Sequence, residues 1–513
     1  MKLSDRQRRE AKKGILWGRE NSSRVPQFRH AINSKHQEDP LSDDTIPVTP
    51  VKYKTIVFFI CGTAALGGLL FGLDQGFIAN SLSTIEKVYN LDIKGGEAYS
   101  AILATGGIIG ALLSGIFARF LGRKRSLVFA GFIFSASSLV SALLPAMPVL
   151  AFCRFLLGFG VGVASFIVPL YLSETAPASI RGSMGTLFQL LITIGIFLIS
   201  LTNVYIAKAV TNPNMALTLM FLTITFFALF MFVGSLVLPE SPRYLMLKGK
   251  KEGAIEVLKK TLNTEEEVDA EAREIEKTLG EEGANIGIIF KKYFFKVLMV
   301  GVFLQMFQQL VGINVMIYYA PTIFGYAGLT GILAMMTVPT VNMLFTFPAI
   351  RLVEQWGRKK LLYVGAACML VTMVAAGVAF SMIGAQTDPS QISNLPKMIL
   401  LISVVVYIFG FAVSWGPVVW LVCSEIFPLE GREVGMTITT MVNWTFAGLL
   451  MGHSLSFMKT YGNASIFFLF AIFCMLSIFF VAAFVPETKG ISLEKIEHNL
   501  RIGKKMRSLG ESA

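Results

Sequence analysis

Four side-chain amides lie close together in an apolar stretch near the middle of the chain, at Gln305, Gln308, Gln309 and Asn314. The stretch runs from about 297 to 324 and could cross a bilayer, which takes roughly 20 apolar residues. The three glutamines share one helix stripe, and Gly312 would let the backbone loosen and turn Asn314 toward them. Because amides both donate and accept hydrogen bonds, a converging uncharged set suits a neutral ligand rich in hydroxyl groups. The alternative is that they bond neighbouring helices.

Two charged residues also lie inside apolar runs, Asp74 in FGLDQ and Arg154 in FCRFLLG. A charge at bilayer depth costs about 2.5–3.5 kcal/mol on insertion scales, so such residues usually pair or have a function. Burial opposes the ionised carboxylate and a nearby guanidinium favours it, so Asp74 can alternate between a protonated and a paired form. It is therefore a candidate proton carrier. One alternative is a fixed buried ion pair. The other is that each charged side chain lies near a helix end and extends its charged group to the membrane surface.

The composition around these residues is that of a membrane protein. The 513 residues are 54% hydrophobic and 15% charged, with a mean hydropathy of +0.63. The formal net charge of +12 gathers in the N-terminal tail and in short loops between apolar runs, which is not the pattern of a nucleic-acid-binding surface. The five cysteines and four histidines show no metal-ligand spacing, and there is no nucleophile–base set or phosphate-binding loop. We expect no enzyme activity, cofactor, metal or nucleic-acid partner.

Twelve apolar runs must position these residues. Six of the runs precede a long hydrophilic insert and six follow it. They lie at about 55–80, 98–119, 126–146, 149–172, 184–208, 216–238, 296–325, 329–353, 361–384, 398–423, 434–458 and 464–485. The pattern predicts an N-terminal tail over 1–52, a six-helix bundle over 53–238, a linker over 239–295 with helices over 251–262 and 265–279, a second bundle over 296–486 and a C-terminal tail over 487–513. Basic loops after the second and eighth runs predict that both termini and the linker are cytoplasmic.

Three charged motifs occur once in each half, which indicates an internal duplication. The pairs are Gly122-Arg-Lys with Gly357-Arg-Lys, Ser173-Glu with Ser424-Glu, and Pro239-Glu-Ser with Pro486-Glu-Thr. Two parallel six-span halves with a substrate site between them, near the midplane, fit such a repeat. The acids and arginines could pair when the cavity faces outward and separate when it opens inward. The alternative is that the basic residues only orient the loops.

The stretch QQLVGINVMIYYAP closely resembles the seventh span of the sugar porters, a branch of the major facilitator superfamily. The resemblance covers about residues 55–500, and several motifs agree in order and spacing. It implies an all-α membrane protein with the major facilitator fold, in which twelve transmembrane helices form two six-helix bundles with added cytoplasmic helices. The FGLDQ motif is similar to that of proton-coupled symporters, which carry Asp where facilitative carriers have Asn. Leu73 departs from the Tyr that is common in the family.

The resemblance also assigns roles to individual residues. It implies sugar contacts at Gln189, Gln308, Gln309, Asn314, Asn342, Trp420, Asn443 and Trp444. It implies proton coupling by Asp74 and Arg154. At the cytoplasmic gate it implies an inter-half network of salt bridges from Arg123, Glu174, Arg181, Glu240, Arg243, Arg358, Glu425 and Arg432. In span ten, Gly416-Pro417 is expected to break the helix near Trp420.

The implied function is proton-coupled symport of a monosaccharide, a hexose or pentose, by alternating access. Asn443 weakly favours a glucose-like hexose. A facilitative uniporter is the alternative within the same class, and a membrane sugar receptor that does not transport is the alternative from another class. We expect a monomer in the inner or plasma membrane, with the sugar, a proton and the lipid bilayer as its partners.

Overall fold

The computed structural model describes residues 54–177, 180–279, 286–384, 392–491 and 493–510. In these parts, twelve straight or broken helices are long and apolar enough to cross a membrane, which confirms the predicted number. Numbered as spans one to twelve, they are Thr55–Tyr89, Ile93–Phe120, Arg123–Ala142, Met147–Thr175, Arg181–Ala209, Pro213–Val237, Lys292–Leu310 with Ile313–Tyr326, Ile332–Trp356, Arg358–Ile383, Asn394–Val413 with Trp415–Ile426, Arg432–Tyr461 and Ser465–Phe484. Below, spans one to six are the first half and spans seven to twelve the second.

Span seven is broken where the sequence predicted it. Gly312 has a φ of +98°, a left-handed value that favours glycine, and its position faces the ring of Phe470, which leaves no space for a Cβ. The helix before the break ends at Leu310 and the next begins at Ile313, so the direction of the side chains shifts between Gln309 and Asn314. The break therefore brings the fourth amide to the glutamine stripe.

Span ten is broken at Ser414, just before the Gly416-Pro417 pair that was expected to break it. The reason is that Pro417 lies in the first turn of the second helix, which starts at Trp415, and a first turn tolerates proline. The helix therefore restarts before the proline, and the carbonyl groups of Trp415 and Gly416 are left near the middle of the span.

Span one is fixed against span five by two glycines. A Cβ at Gly72 would collide with the backbone of Ile192, and one at Gly76 would collide with the backbone and side chains at Ile196 and Ile199. Such close approach of two backbones leaves no room for span one to rotate. It sets which side chains of span one point toward the second half.

The hydrophilic insert forms the two predicted helices, Lys251–Thr261 and Glu265–Leu279, after a shorter one at Pro242–Leu247. Apolar side chains from the three pack together, including those of Met246, Ala254, Leu258, Val268, Ala272 and Ile275. An exposed ion pair between Lys251 and Glu276, at 2.5 Å, spans the two longer helices. The insert is thus a small helical unit with its own apolar core.

A short helix follows span twelve, at Leu493–Arg501, and returns to the loop before span eleven. The guanidinium of Arg501 lies 3.2 Å from Glu430, whose carboxylate also accepts hydrogen bonds from Lys291 and Tyr293. Burial alone would raise the pKa of Glu430, but these donors and the positive charges outweigh it, so the pKa lies below its usual range. The C-terminal helix is therefore tied to the start of span seven by charge.

Candidate functional site

A central cavity lies between the two halves. All eight residues that were predicted to contact sugar line it, and further lining comes mainly from apolar side chains. Its empty volume is about 630 Å³, part of it open to solvent. The predicted residues that it brings together are Gln189, Gln308, Gln309, Asn314, Asn342, Trp420, Asn443 and Trp444.

A chain of side-chain amides crosses this cavity from one half to the other. Gln75 of span one donates to Asn314 Oδ1 at 3.3 Å, and Asn314 donates to Gln309 Oε1 at 2.7 Å. Gln309 in turn donates to Asn443 Oδ1 of span eleven at 3.0 Å. Each of these side chains is at least nine-tenths buried. The amides are thus held in fixed positions by one another and not by charged groups.

The chain of hydrogen-bonded amides continues behind the cavity wall. Asn443 Nδ2 donates to Gln305 Oε1 at 2.6 Å and to Gln308 Oε1 at 2.7 Å. Gln308 Nε2 then donates to the carbonyl oxygens of Trp415 and Gly416, at 2.9 and 3.3 Å, where span ten is broken. Gln305 does not line the cavity, so its place is that of a support for Asn443.

Several polar groups of the cavity have no hydrogen-bond partner among the described residues. The side-chain amides of Gln189 and Asn342 make no such bond, and neither do the indole N–H groups of Trp420 and Trp444. Gln189 and Trp420 are half-buried, while Asn342 and Trp444 are buried. Because these four side chains line the cavity, their open hydrogen-bonding groups are available to a ligand or to water.

Aromatic side chains supply the apolar walls. Phe71 of span one lies against Trp444 of span eleven, with ring centroids 5.1 Å apart. The rings of Phe188, Phe411 and Trp420 also face the cavity. A site with directed amides and aromatic faces fits a ring compound that carries hydroxyl groups on its edge and C–H groups on its faces.

Asp74 and Arg154 form a buried ion pair, as the sequence predicted for charges at this depth. Arg154 donates to Asp74 Oδ1, and neither side chain has any exposed surface. The other carboxylate oxygen of Asp74 and two of the three guanidinium nitrogens of Arg154 have no partner among the described residues. The Arg154 guanidinium also lies over the ring of Tyr99, 5.5 Å from its centroid. The pair is outside the cavity lining, but Asp74 is adjacent in sequence to Gln75, which lines it.

The charged motifs of the first half pair at the end of the bundle that carries the turns at Gly122 and Gly357, which we call the basic end. Arg123 binds Glu174 through two nitrogens, at 2.9 and 2.7 Å. Glu240 Oε1 accepts the backbone N–H groups of Arg123 and Lys124, at 2.9 and 3.1 Å. Glu240 thus caps the start of span three while Arg123 ties that start to span four.

The second half repeats this arrangement. Arg358 contacts Glu425 at 2.8 and 3.2 Å, and Glu487 accepts the backbone N–H groups of Arg358 and Lys359 at 2.9 and 3.0 Å. Thr488 donates to Glu425 at 2.5 Å, as Ser241 does to Glu174 in the first half. The duplicated motifs therefore make equivalent contacts.

These ion pairs join spans of the same half, whereas the resemblance implied a network between the halves. Across the halves, Glu433 at the start of span eleven lies near Arg123 at the start of span three. Arg432 donates to the carbonyl oxygen of Phe427 at 3.5 Å, and Arg243 lies in the short helix after span six. The side chain of Arg181 is outside the described part of the chain. The role of these residues at a gate remains a prediction.

Contacts between the halves occur at the opposite end of the bundle. Glu97 of span two, only 1% exposed, accepts the backbone N–H of Ser456 in span eleven at 2.9 Å and also accepts its hydroxyl. Toward the middle, the rings of Trp444 fill the space beside Gly107. Sequence reasoning missed Glu97 and Gln75. The available signals were a lone carboxylate at the edge of an apolar run, and an amide four residues after Phe71 and beside Asp74.

Comparison with known proteins gives one consistent result. The sequence family described as "Sugar (and other) transporter" matches residues 60–500. The galactose-proton symporter of Escherichia coli K12 is 39% identical over 464 residues, which are 89% of this chain and 97% of that protein. The D-xylose transporter of Levilactobacillus brevis is 34% identical over 449 residues, 86% of this chain and 95% of that one.

Solved structures agree with the sequence relatives. The proton:xylose symporter XylE bound to 6-bromo-6-deoxy-D-glucose matches with a TM-score of 0.74 and 31% identity, over 86% of this chain and 98% of that one. The inward open conformation of the xylose transporter XylE from E. coli gives a TM-score of 0.72 and 30% identity, over 86% and 99%.

Proposed function

Since this chain belongs to the sugar porter family of the major facilitator superfamily, a family of transporters and not of enzymes, we propose that it is a proton-coupled monosaccharide symporter. The observation that carries the proposal is the central cavity, where uncharged amides of both halves and two tryptophans surround one space. Its relatives include proteins named as proton symporters for galactose and arabinose and a transporter for xylose. The substrate is a hexose or pentose, and a glucose-like hexose is the form we favour.

In the proposed binding step, the sugar lies between the halves with its hydroxyl groups toward the amides. Gln309 and Asn314 are already oriented by each other, so they lose little freedom when the sugar arrives. Gln189 and Asn342 have amides without described partners, and Trp420 offers a ring face. The hydroxyl groups of the sugar supply the hydrogen bonds that these amides lack, which gives selectivity against less polar compounds.

Asp74 is the proposed proton carrier. When it is ionised, Arg154 balances its charge inside the bundle. When it takes up a proton, the pair loses its charge attraction, and the Arg154 guanidinium, two of whose nitrogens already lack partners among the described residues, must find water or another acceptor. A movement of span one that changes access to Asp74 would therefore link proton release to the position of the halves. Gly72 and Gly76, which fix span one on span five, make the two spans move together.

Transport is proposed to proceed by alternating access. In the described conformation the halves are joined by Glu97 with Ser456 at the end opposite the basic turns, and by Gln75 with Asn314 near the middle. Opening toward that opposite end requires both contacts to separate. The concentration of Arg and Lys at the basic end favours a cytoplasmic location for that end and for both termini, in the inner or plasma membrane.

The test is sugar uptake into proteoliposomes that contain the full-length protein, measured with and without an inward proton gradient across a panel of monosaccharides. We expect uptake of at least one sugar above its external concentration only with the gradient. Equal uptake under both conditions would identify a uniporter instead. Binding without counterflow of labelled sugar would identify a receptor.

A further inference from the structure

Gln75 lies on span one beside both the cavity and the buried ion pair. Its side chain lines the cavity, while the preceding residue, Asp74, faces Arg154 of span four. Successive side chains on a helix point about 100° apart, so the two neighbours serve different surroundings. The packing of Gly72 against span five fixes both directions. Gln75 is thus presented to the second half in a defined orientation.

The hydrogen bond of Gln75 leaves much of its bonding capacity unused. Its Nε2 donates to Asn314 Oδ1 at 3.3 Å, which is long for a bond between amides, whose usual N···O distance is about 2.9–3.0 Å. Its carbonyl oxygen has no partner among the described residues. Asn314 uses its own amide donor on Gln309, and among the described residues its Oδ1 accepts from Gln75 alone. Two amides therefore face each other at a distance slightly too great, beside the cavity.

A hydroxyl group matches this gap. A hydroxyl donates one hydrogen bond and accepts two, so it can donate to Asn314 Oδ1 while it accepts from Gln75 Nε2. Alternatively, it can donate to the open carbonyl oxygen of Gln75. Insertion would replace one long bond with two of normal length, and would connect spans one and seven through the ligand.

We propose that Gln75 and Asn314 form a hydroxyl-binding subsite, and that Gln75 is a specificity-determining residue contributed by the first half. The inference rests on the proposed function, because it assumes that the cavity binds a monosaccharide. The ligand group is one hydroxyl of a neutral sugar. A sugar that lacks this hydroxyl leaves the Gln75–Asn314 bond in place and gains nothing at this position, so it binds more weakly.

The competing explanation is that the bond only joins the helices. In that case the loss of Gln75 would affect all ligands alike, because no ligand atom touches it. The two explanations differ in whether the loss of affinity caused by the Gln75 substitution depends on which hydroxyl group the sugar carries. They do not differ in whether the substitution weakens binding.

The experiment is a cycle of protein and sugar variants on the purified full-length protein. Dissociation constants are measured for the best-bound monosaccharide and each of its monodeoxy analogues, with unmodified protein, Gln75→Leu and Gln75→Asn. We expect Gln75→Leu to weaken binding of the parent sugar about tenfold, the effect of one lost ligand hydrogen bond. The deoxy penalty is the ratio of the dissociation constant of a deoxy analogue to that of the parent sugar, measured on the same protein. At one position this penalty should fall from about tenfold in the unmodified protein to about twofold or less in Gln75→Leu, while the penalties at the other positions stay unchanged.

Gln75→Asn keeps an amide but shortens its reach, so it should give an intermediate penalty at the same deoxy position. Ser81→Ala is the matched control, since it removes a buried polar group of the same span that bonds the carbonyl oxygen of Phe77 and does not line the cavity. It should keep every deoxy penalty. If Gln75→Leu and Gln75→Asn also keep every penalty, the subsite does not exist. If the unmodified protein binds no monosaccharide, the proposed function falls as well.

Discussion

The Asp74–Arg154 pair allows a prediction that separates its structural role from its transport role. Asp74→Asn keeps the shape of the side chain but removes its charge, and leaves the Arg154 guanidinium with no exposed surface and no counterion. Breaking a buried pair by removing one partner costs about 3–5 kcal/mol. Because Asn can still accept one hydrogen bond from Arg154, we expect a loss of about 3 kcal/mol in the free energy of unfolding.

The double variant tests the origin of this loss. Asp74→Asn with Arg154→Met removes both charges and fills a similar volume, so most of the stability should return. The two substitutions should therefore be non-additive by about 2–3 kcal/mol. Unfolding in mixed detergent micelles gives the stabilities, and proteoliposomes give uphill uptake and sugar exchange. Uphill uptake should be lost in both variants, while Asp74→Asn should retain exchange.

Three results would refute this reasoning. If Asp74→Asn is as stable as the unmodified protein, Arg154 has another partner and the pair is not the buried charge balance that we describe. If the double variant is no more stable than the single one, the loss has another cause. If uphill uptake survives in Asp74→Asn, the residue does not carry the proton. Glu276→Gln, which removes an exposed pair with Lys251, should change neither stability nor uptake.

Three further predictions concern contacts between helices and the cavity wall. Glu97→Gln should weaken the contact with Ser456 and favour opening at that end, seen as faster hydrogen–deuterium exchange at the adjoining ends of spans two and eleven. Gly72→Val should prevent folding, because its side chain would enter the backbone of span five, whereas Gly62→Ala, with open space around it, should fold normally on size-exclusion chromatography. Trp420→Ala should weaken binding of every sugar in the panel by roughly tenfold, measured by direct binding, because it removes an aromatic ring from the cavity wall.

The features that could be predicted from the sequence are those set by local chemistry. Apolar length fixes the twelve spans, since each must reach across a bilayer. Gly312 marks a break because a left-handed backbone strongly favours glycine. Asp74 and Arg154 were expected to meet because an unpaired charge at that depth is costly.

The features that could not be predicted depend on how distant helices align. The bond of Gln75 with Asn314 joins residues from different halves, and no pattern within either span shows the alignment of one against the other. The same holds for Glu97, whose acceptor role is set by the position of Ser456 on span eleven. The break at Ser414 differs from the expected one because a proline in a first turn does not disturb a helix.

The two classes of contact suggest how the halves can move as units. Within the first half, Arg123 holds Glu174 by charged, two-point hydrogen bonds, and Arg358 holds Glu425 in the second half in the same way. Charge-assisted pairs of this kind are roughly twice as strong as bonds between neutral groups. Between the halves lie the weaker amide contact of Gln75 with Asn314 and the contact of Glu97 with Ser456. Because a neutral hydrogen bond contributes only about 0.5–1.5 kcal/mol net, a sugar that offers equal or better bonds can replace the amide contact at little cost. Rearrangement should therefore occur between the halves while each half stays intact.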